Sequence, residues 1–368
     1  MKKIKIAMLV CRLEFGGVES VILNYTDNMT KLNYEFHIIT QDINDENCVK
    51  LFEKKGFKVH KICHKRKSIL RNVRELYQIL KTEKYDIVHS HMTLTNSYAL
   101  FIAKLCVVKV RISHSHNSVE SSSFMKSLAY SILRYLNCRY ATHFFACGQD
   151  AADFLFGVKN RDKVYIFPNA IETERYRFSV EHRNKIRANY HVGERICVGH
   201  VGRFMEQKNQ VFLIDIFARY ALKNPDSVLL IVGDGELKPE LISHIKTLRL
   251  EDSVIMTGNI NNVNEIYSAM DMFLLPSLFE GLPVVAVEAQ AAGLPCLLSD
   301  KIDKKCKLTD NVEFFSIDGV DSWVEAMSKV DTQKRLAYCG KPIRLPGYDL
   351  KEEAAKMEKL YLQCCNGR

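Results

Sequence analysis

The chain of 368 residues is longer than one hydrophobic core usually supports, which predicts two domains. Its composition, 47% hydrophobic and 26% charged, excludes a disordered chain, and no apolar run reaches the ~18 residues that a membrane-spanning helix needs. The net charge of +9 lies in the first half, because residues 1–175 hold 27 Lys and Arg against 17 Asp and Glu, and the rest is nearly neutral.

The first half predicts strands that alternate with helices. Strands are predicted from KIKIAMLV (3–10), YEFHIIT (34–40), YDIVHSH (85–91), VRISHSH (110–116) and THFFACG (142–148). Helices are predicted over 15–29, in the basic stretch that follows the second strand, and from about residue 97. Mostly apolar strands in β-α-β order are typical of a parallel sheet covered on both faces.

The pattern restarts after the turn-rich segment FPNAIETERYRF (167–178). Strands are predicted from RICVGHVGR, SVLLIVGDG, SVIMTG, MFLLPS and PCLLSD, and helices over 209–223, 237–248, 262–270 and 283–292. A final amphipathic helix follows Pro346 and Gly347. The sequence therefore predicts a second doubly wound parallel sheet, and we expect the ligand site beyond the strands' carboxyl ends, in a cleft between the domains.

The basic segment, residues Lys54–Lys84, contains 11 Lys and Arg but only two acidic residues. It lacks the interleaved aromatic residues of a single-strand nucleic-acid platform, and the chain has no recognised DNA- or RNA-binding motif. We therefore expect no nucleic-acid partner and interpret the segment as a contact with anionic lipid. A helix whose basic face is simply solvated is the alternative.

The amino-terminal residues MKKIKIAMLV lack the apolar core and cleavage site of a secretory signal, so we expect the protein in the cytoplasm. The 12 cysteines include no C-x-x-C pair, which argues against a zinc ribbon or a redox pair. Two pairs of histidines, His89 with His91 and His114 with His116, could each project to one side of a strand like metal ligands. Since no cysteine or carboxylate cluster completes either pair, we expect no metal site.

The segment LFEGLPVVAVEAQAAGLP (278–295) holds Glu280 and Glu288 within small and apolar residues. Pro283 is predicted as the first residue of a helix that Gly293 ends, so free N–H groups at the helix start can bind a diphosphate. The two oxygens of Glu288 match the two hydroxyls of a ribose, and Glu280 can bind hydroxyls of a second sugar. A helix-start charge and an internal ion-pair partner are the alternatives.

Residues 279–295, FEGLPVVAVEAQAAGLP, resemble the E-x7-E signature of the retaining GT-B glycosyltransferases of family 4. Four further segments are similar to that family in order and spacing: FGGVE (15–19), RISHSHN (111–117), VGRFMEQKN (201–209) and VGDGELKPEL (232–241). The resemblance implies two Rossmann-like domains that face each other across a cleft. Residues 1–175 would bind the acceptor, with the helix of 348–368 packed back on them, and residues 176–347 would bind the donor.

The resemblance also implies roles for individual residues. Arg203 and Lys208 would neutralise the donor diphosphate, which agrees with the absence of a D-x-D metal motif. Glu288 would bind the ribose, Glu280 the transferred sugar, and His116 would lie near the reacting sugar. The donor would also contact a glycine loop, the segment that receives the base, and the backbone between the two glutamates: Gly16, Gly17, Asn259, Ile260, Gly281, Leu282 and Pro283. The acceptor would contact His91, His116 and Asn117.

We therefore expect a metal-independent, retaining transferase without a cofactor. It would move a hexose or N-acetylhexosamine from a nucleotide diphosphate donor, expected to be a UDP-sugar, to a saccharide on a polyprenyl lipid carrier in cell-surface polysaccharide synthesis. We expect it on the cytoplasmic face of the plasma membrane.

Ala170 stands where the family commonly has the glycine of Pro-Asn-Gly, which puts the backbone turn after Asn169 in question. The alternatives to a transferase are a glycoside hydrolase that uses Glu280 and Glu288, and an inactive nucleotide-sugar-binding subunit on the membrane. Release of free sugar would favour the first, and donor binding without turnover the second.

Overall fold

The computed structural model describes residues 3–116, 124–260, 262–332 and 343–366, together with Arg335, Cys339 and Lys341. The chain forms two compact units. The first comprises Met1–Ala170 and Leu350–Arg368, and the second comprises Ile171–Asp349. The first unit is therefore assembled from two separate parts of the chain.

The first unit contains a seven-stranded parallel sheet in the order β3-β2-β1-β4-β5-β6-β7. Its strands are β1 (Ile4–Leu13), β2 (Tyr34–Ile43), β3 (Lys58–Lys61), β4 (Ile87–Ser90), β5 (Val110–Ser115), β6 (His143–Ala146) and β7 (Val164–Ile166). Its helices are α1 (Gly17–Asp27), α2 (Glu46–Lys54), α3 (Ile69–Glu83), α4 (Asn96–Leu105), α5 (Phe124–Tyr140), α6 (Gln149–Phe156) and α13 (Leu350–Asn366).

The central strand β1 shows why this sheet is covered on both faces. Successive strand residues point to opposite faces, and in β1 both sets are buried. Ile6 and Met8 join a core with residues of α1, α2 and α13, whereas Ala7 and Leu9 join a core with residues of α3 and α4. Helices on both sides of the sheet thus cover the apolar residues on both faces of β1.

The second unit contains a six-stranded parallel sheet in the order β10-β9-β8-β11-β12-β13. Its strands are β8 (Ile196–Val201), β9 (Ser227–Val232), β10 (Val254–Gly258), β11 (Met272–Leu275), β12 (Cys296–Ser299) and β13 (Val312–Phe315). Its helices are α7 (Val180–Asn189), α8 (Gln210–Ala221), α9 (Lys238–Thr247), α10 (Val263–Ala269), α11 (Val284–Ala291) and α12 (Asp321–Ser328). Alternate residues of β9 again feed two cores, one on each face.

The structure confirms the predicted fold class, two doubly wound parallel sheets. The strand order reverses direction between β1 and β4 in the first unit and between β8 and β11 in the second, which are the positions where such sheets bind ligands. In the described part of the chain, no helix is both long and apolar enough to cross a membrane.

The helix predicted in the basic stretch is confirmed as α3, which occupies the second half of the basic segment. The segment contains the short strand β3 before α3 begins. Strand β3 is an edge strand with exposed lysines at both ends, so it carries none of the apolar alternation that reveals a strand. Helix α3 begins after Ser68, whose hydroxyl accepts a hydrogen bond from the Arg71 N–H, and it ends at Lys84 in the left-handed conformation.

Candidate functional site

The donor-side residues predicted from the sequence lie at the carboxyl ends of the second unit's strands. A pocket of about 550 Å³, here called the β8 pocket, is lined by the segments that follow β8, β9 and β10. Arg203, Asn259 and Ile260 all line it, and the Arg203 side chain is exposed. The structure therefore brings the predicted base-contacting residues together with one of the two predicted diphosphate cations.

Two glycines allow the backbone around this pocket to pack closely. A Cβ atom on Gly233 would lie 2.1 Å from the carbonyl oxygen of Gly202, and one on Gly235 would lie 2.3 Å from that of Phe204. Gly233 also has a φ of +137°, a backbone conformation that residues other than glycine rarely adopt. The two glycines of VGDG are therefore needed for the close contact between the segments that follow β8 and β9.

Lys208 and Glu280 form an ion pair next to this pocket. The Lys208 Nζ lies 2.5 Å from Glu280 Oε1, and the Ser277 hydroxyl donates to the same oxygen at 2.9 Å. Both side chains are largely buried, with 15% and 10% exposed. The Lys208 Cε atom lies 3.4 Å from the position that a Cβ on Gly202 would occupy, so its aliphatic stem packs against a residue that lines the β8 pocket.

Glu288 is held by two tyrosines that the sequence reading did not identify. The Tyr176 hydroxyl donates to Oε1 and the Tyr267 hydroxyl to Oε2, each at 2.7 Å. Burial raises the pKa of Glu288, while the two hydroxyl donors act in the opposite direction. Each carboxylate oxygen keeps a further lone pair, so this carboxylate can still accept hydroxyls from a ligand.

Helix α11 begins one residue later than predicted. Pro283 is its N-cap residue and Val284 its first residue, which corrects the placement of Pro283 inside the helix. Gly281 is exposed, with no heavy atom within 4 Å of an added Cβ. At the other end, Gly293 adopts a φ of +73°, the left-handed conformation common just after a helix.

The structure does not bring all donor-side residues into direct contact. Within the described part of the chain, no hydrogen bond or ion pair joins Glu288 to Arg203 or Lys208. The connection is apolar: Ile260 and Leu282 pack against the same buried cluster of the second unit. The pocket segment and the start of α11 are thus positioned by one shared core.

A separate pocket of about 690 Å³ lies in the first unit and is here called the β1 pocket. It is bordered by His91 and His116, which were predicted to contact the acceptor, and by Gly16 and Gly17, which were predicted to contact the donor. An added Cβ on Gly17 would meet no heavy atom within 4 Å, so its backbone is open to the pocket. The predicted Asn117 lies outside the described residues.

The turn after Asn169 forms without glycine. Ala170 is buried in the first unit's core, and it is not among the described residues with positive φ. Its N–H donates to the Pro168 carbonyl at 2.7 Å. Asn169 borders the β1 pocket, and its buried Oδ1 atom has no hydrogen-bond partner in the part of the chain that the structure describes.

Two histidine pairs from neighbouring strands meet beside the β1 pocket. His91 Nδ1 lies 2.8 Å from His116 Nε2, and His89 Nε2 lies 3.1 Å from His114 Nδ1. Burial lowers the pKa of His116 to about 4 and lowers the pKa of the other three well below the usual value. All four imidazoles are therefore neutral near neutral pH.

The chain matches two family models. The model described as Glycosyltransferase Family 4 matches residues 15–175, and the model described as Glycosyl transferases group 1 matches residues 182–338. The chain is 33% identical to EpsF of Bacillus subtilis (strain 168) over 300 residues, which cover 79% of this chain and 77% of EpsF.

Other similar proteins cover nearly the whole chain. An Escherichia coli relative named UDP-Gal:alpha-D-GlcNAc-diphosphoundecaprenol alpha-1,3-galactosyltransferase is 28% identical over 381 aligned positions, covering 98% of this chain and 97% of the relative. The crystal structure of Anabaena Alr3699/HepE in complex with UDP superposes with a TM-score of 0.77 at 17% identity, covering 99% of this chain and 98% of that one.

These findings confirm the resemblance that the five sequence segments indicated. They also confirm the GT-B fold, and they favour sugar transfer over the hydrolase alternative. The chain belongs to the family 4 glycosyltransferases.

Proposed function

We propose that this glycosyltransferase moves a hexose or N-acetylhexosamine from a UDP-sugar to a saccharide on a polyprenyl lipid carrier, with retention of configuration, in cell-surface polysaccharide synthesis. The observation that carries the proposal is the buried pair of Lys208 and Glu280, whose lysine packs against Gly202 of the β8 pocket. It holds a cation and a sugar-binding carboxylate side by side at the carboxyl ends of the second unit's strands.

The proposed chemistry depends on charge at the leaving group. When the sugar–phosphate bond breaks, negative charge grows on the diphosphate, and fixed cations that are already in position stabilise it. Lys208 and Arg203 supply these cations in place of a divalent ion. Glu280 binds hydroxyls of the transferred sugar, and Gly281, Leu282 and Pro283 present backbone N–H and carbonyl groups to the sugar and phosphates.

The nucleoside half of the donor is assigned to the rest of this region. Glu288, already oriented by Tyr176 and Tyr267, accepts the ribose hydroxyls, and Asn259 and Ile260 contact the base. UDP as the nucleotide is supported by the UDP in the HepE crystal structure and by the UDP-Gal donor in the name of the E. coli relative.

The acceptor is assigned to the β1 pocket. His91 and His116 supply polar side chains there, and Gly17 offers open backbone. The assignment of Asn117 to the acceptor rests on the sequence resemblance alone. The diphosphoundecaprenol acceptor in the name of the E. coli relative supports a lipid-linked saccharide. His116, neutral because burial holds its pKa at about 4, acts as a hydrogen-bond partner of the reacting sugar instead of a cation.

A screen of nucleotide sugars for thermal stabilisation tests the donor assignment. We expect UDP-sugars to raise the unfolding temperature and ADP- and GDP-sugars to leave it unchanged, since a ligand at 100 times its Kd stabilises the native state by about 2.7 kcal/mol. Turnover with a polyprenyl-diphosphate saccharide, with the anomeric configuration of the product read by NMR, completes the test.

Three outcomes of that screen contradict different parts of the proposal. Stabilisation by another nucleotide alone would refute UDP. Stabilisation without transfer to any lipid-linked acceptor would favour an inactive binding subunit. Inversion of the anomeric centre would refute retention.

The lipid-facing surface is assigned to the layer formed by α3, α4 and α5. Helix α4 packs against both others, so the exposed residues of the three helices share an outer surface. On α5, Leu128, Ile132 and Tyr135 form a stripe at i, i+4 and i+7, and they are 58%, 54% and 67% exposed. Exposed apolar residues also lie on the other two helices: Ile69, Leu70, Phe101 and Leu105.

This apolar surface adjoins the basic segment, of which Lys65, Arg66 and Lys67 directly precede α3. Apolar side chains next to lysine and arginine suit the boundary between anionic headgroups and acyl chains. We therefore place the enzyme peripherally on the cytoplasmic face of the plasma membrane, where its lipid-linked acceptor would be held.

Replacing Lys65, Arg66 and Lys67 with alanine is expected to weaken binding to phosphatidylglycerol-containing vesicles about 10²-fold, because each basic residue near an anionic membrane contributes about 1 kcal/mol. Vesicle co-sedimentation at low and high salt measures the effect. We expect wild-type binding to fall as salt rises, since salt screens the attraction.

The matched control removes three lysines of the second unit, Lys304, Lys305 and Lys307, and should leave vesicle binding unchanged. Equal binding of the two triple variants, or wild-type binding that does not depend on anionic lipid, would refute the membrane assignment.

A further inference from the structure

The two H-S-H segments of the sequence combine into one cluster in the fold. His89 and His91 lie at the end of β4, and His114 and His116 lie at the end of the neighbouring strand β5. Residues two apart on a strand share a face, so all four imidazoles lie on the same side of the sheet. The rings of His89 and His91 are centred 4.2 Å apart, and those of His89 and His114 5.2 Å apart.

The ring nitrogens of this cluster divide into held and unheld atoms. His89 Nδ1 is hydrogen-bonded to the Tyr361 hydroxyl at 2.7 Å, and His91 Nδ1 to His116 Nε2 at 2.8 Å. His91 Nε2 and His114 Nε2 are buried, and neither has a hydrogen-bond partner among the described residues. His89 and His91 show the arrangement of metal-ligating histidines, in which an outer partner fixes Nδ1 and Nε2 faces the ion. His114 would ligate through Nδ1, the atom that now contacts His89 Nε2.

The spacing of the nitrogens suits a cation. One nitrogen each from His89, His91 and His114 can be chosen so that all three lie within 4.8 Å of one another. The 3.1 Å between His89 Nε2 and His114 Nδ1 is close to the ~3.4 Å that separates two ligands of a tetrahedral zinc ion with Zn–N distances near 2.1 Å. An ion would replace that contact by two coordinate bonds, and both rings would turn, because their nitrogens now point at each other.

The cluster also lies next to a pocket. His91 borders the β1 pocket, whereas His89 and His114 are almost completely buried. In a tetrahedral ion bound by these three histidines, the fourth coordination position would therefore face the β1 pocket.

A second histidine group of the first unit is less suited to a cation. His37, His60 and Glu83 also bring ligand atoms together. There the Lys5 ammonium bonds to Glu83, and His37 has both nitrogens engaged, Nδ1 by Tyr85 and Nε2 by Glu35. A positive charge already occupies this group, and its nitrogens already have partners.

We infer that His89, His91 and His114 form a binding site for one divalent transition ion of the zinc type in the first unit. Neither histidine pair suggests the site alone, because its ligands come from two strands. The ion is separate from the donor chemistry, which Arg203 and Lys208 serve in the second unit. By fixing the His91 ring, it orients His116 through the bond between their nitrogens.

The test measures metal in the full-length protein directly. The protein is stripped with a chelator, equilibrated with zinc, desalted and assayed by mass spectrometry for metal, and we expect about one equivalent per chain. Replacement by cobalt should give the visible absorption of a tetrahedral ion with nitrogen ligands. This readout needs neither variants nor transferase activity, so it stands even if the proposed donor or acceptor is wrong.

Variants locate the ion. His89→Gln and His114→Gln should each abolish the cobalt spectrum and the stoichiometric zinc, and the matched control His60→Gln should retain both. Circular dichroism and gel filtration check that each variant is folded. Wild-type protein that holds less than about a tenth of an equivalent of zinc and gives no cobalt absorption overturns the inference. So does a folded His114→Gln variant with unchanged metal content, or loss of the metal only in His60→Gln.

Discussion

Replacing Lys208 with alanine is expected to slow sugar transfer by about 10²- to 10³-fold, the usual effect of removing one preorganised group that stabilises developing negative charge. The Lys208 ammonium is already fixed by Glu280, so it needs no reorganisation when the diphosphate leaves. Release of UDP in the steady state measures the rate. We expect the loss in kcat, because the charge that Lys208 meets is greatest in the transition state.

The matched control is Lys185→Ala, which removes a lysine from another ion pair of the second unit. Lys185 pairs with Glu265 but is 54% exposed and lies outside the β8 pocket, so transfer should continue at the wild-type rate. Thermal unfolding of both variants separates loss of catalysis from loss of fold, since alanine at 208 leaves Glu280 without its cation. A well-folded Lys208→Ala enzyme with near-normal kcat would refute the assignment.

Replacing Glu288 with glutamine is expected to weaken binding of the UDP-sugar about 10- to 10²-fold. Hydrogen bonds to a charged acceptor contribute about 1.5–3 kcal/mol, and glutamine removes the charge and one acceptor oxygen. One of the two tyrosine hydroxyls would also meet an amide NH2 group instead of an oxygen. Isothermal titration calorimetry with the donor alone measures the change, and unchanged affinity would contradict the ribose assignment.

The pH dependence of this binding gives a second readout. Burial raises the pKa of Glu288, so its ionised form, which accepts the ribose hydroxyls, is lost at a higher pH than for an exposed glutamate. Wild-type donor affinity should therefore fall as the pH drops from neutral to mildly acidic values. The Glu288→Gln variant should lack that fall.

The contribution of Glu288 to folding stability changes with pH in the opposite direction. Because its pKa is raised in the folded state, Glu288 stabilises the fold at a pH below its unfolded pKa, and this stabilisation is lost as the pH rises through the folded pKa.

The matched control for the pH dependence of donor binding is Glu265→Gln, because the hydrogen bond from Lys185 lowers the pKa of Glu265. Its donor affinity should show the wild-type pH dependence.

The order of strands and helices could be predicted because apolar runs and turn residues are local signals. Strands β8, β9 and β11 are apolar along their length, and each is followed by a helix with regular spacing. Several elements were not predicted: β3, β7, β13, α2, α5, α6, α7 and α12. The three strands are short edge strands with exposed residues, and α5 carries its apolar stripe on the solvent side, so neither pattern indicates a buried face.

The candidate site divides in the same way. The positions of Arg203, Asn259 and Ile260 around one pocket follow from their places after strands that end at the same sheet edge. Partners that are distant in sequence could not be predicted: Tyr176 reaches Glu288 across 112 residues, and the two H-S-H segments are 25 residues apart. Local sequence patterns carry no information about such contacts. The order of the strands in the sheet must be known before all residues of a site can be identified.

The first unit's division into two parts of the chain affects the order in which the domains mature. A ribosome makes all of Ile171–Asp349 before it reaches α13, yet Ala354, Met357 and Tyr361 belong to the core that α1 and β1 share. During synthesis, the apolar residues of the first unit that α13 covers therefore stay exposed to solvent until the second unit has been made and is able to fold. A nonsense codon between Ala170 and Tyr361 would thus remove part of the first unit's core, although it lies far from that unit's other residues in the sequence.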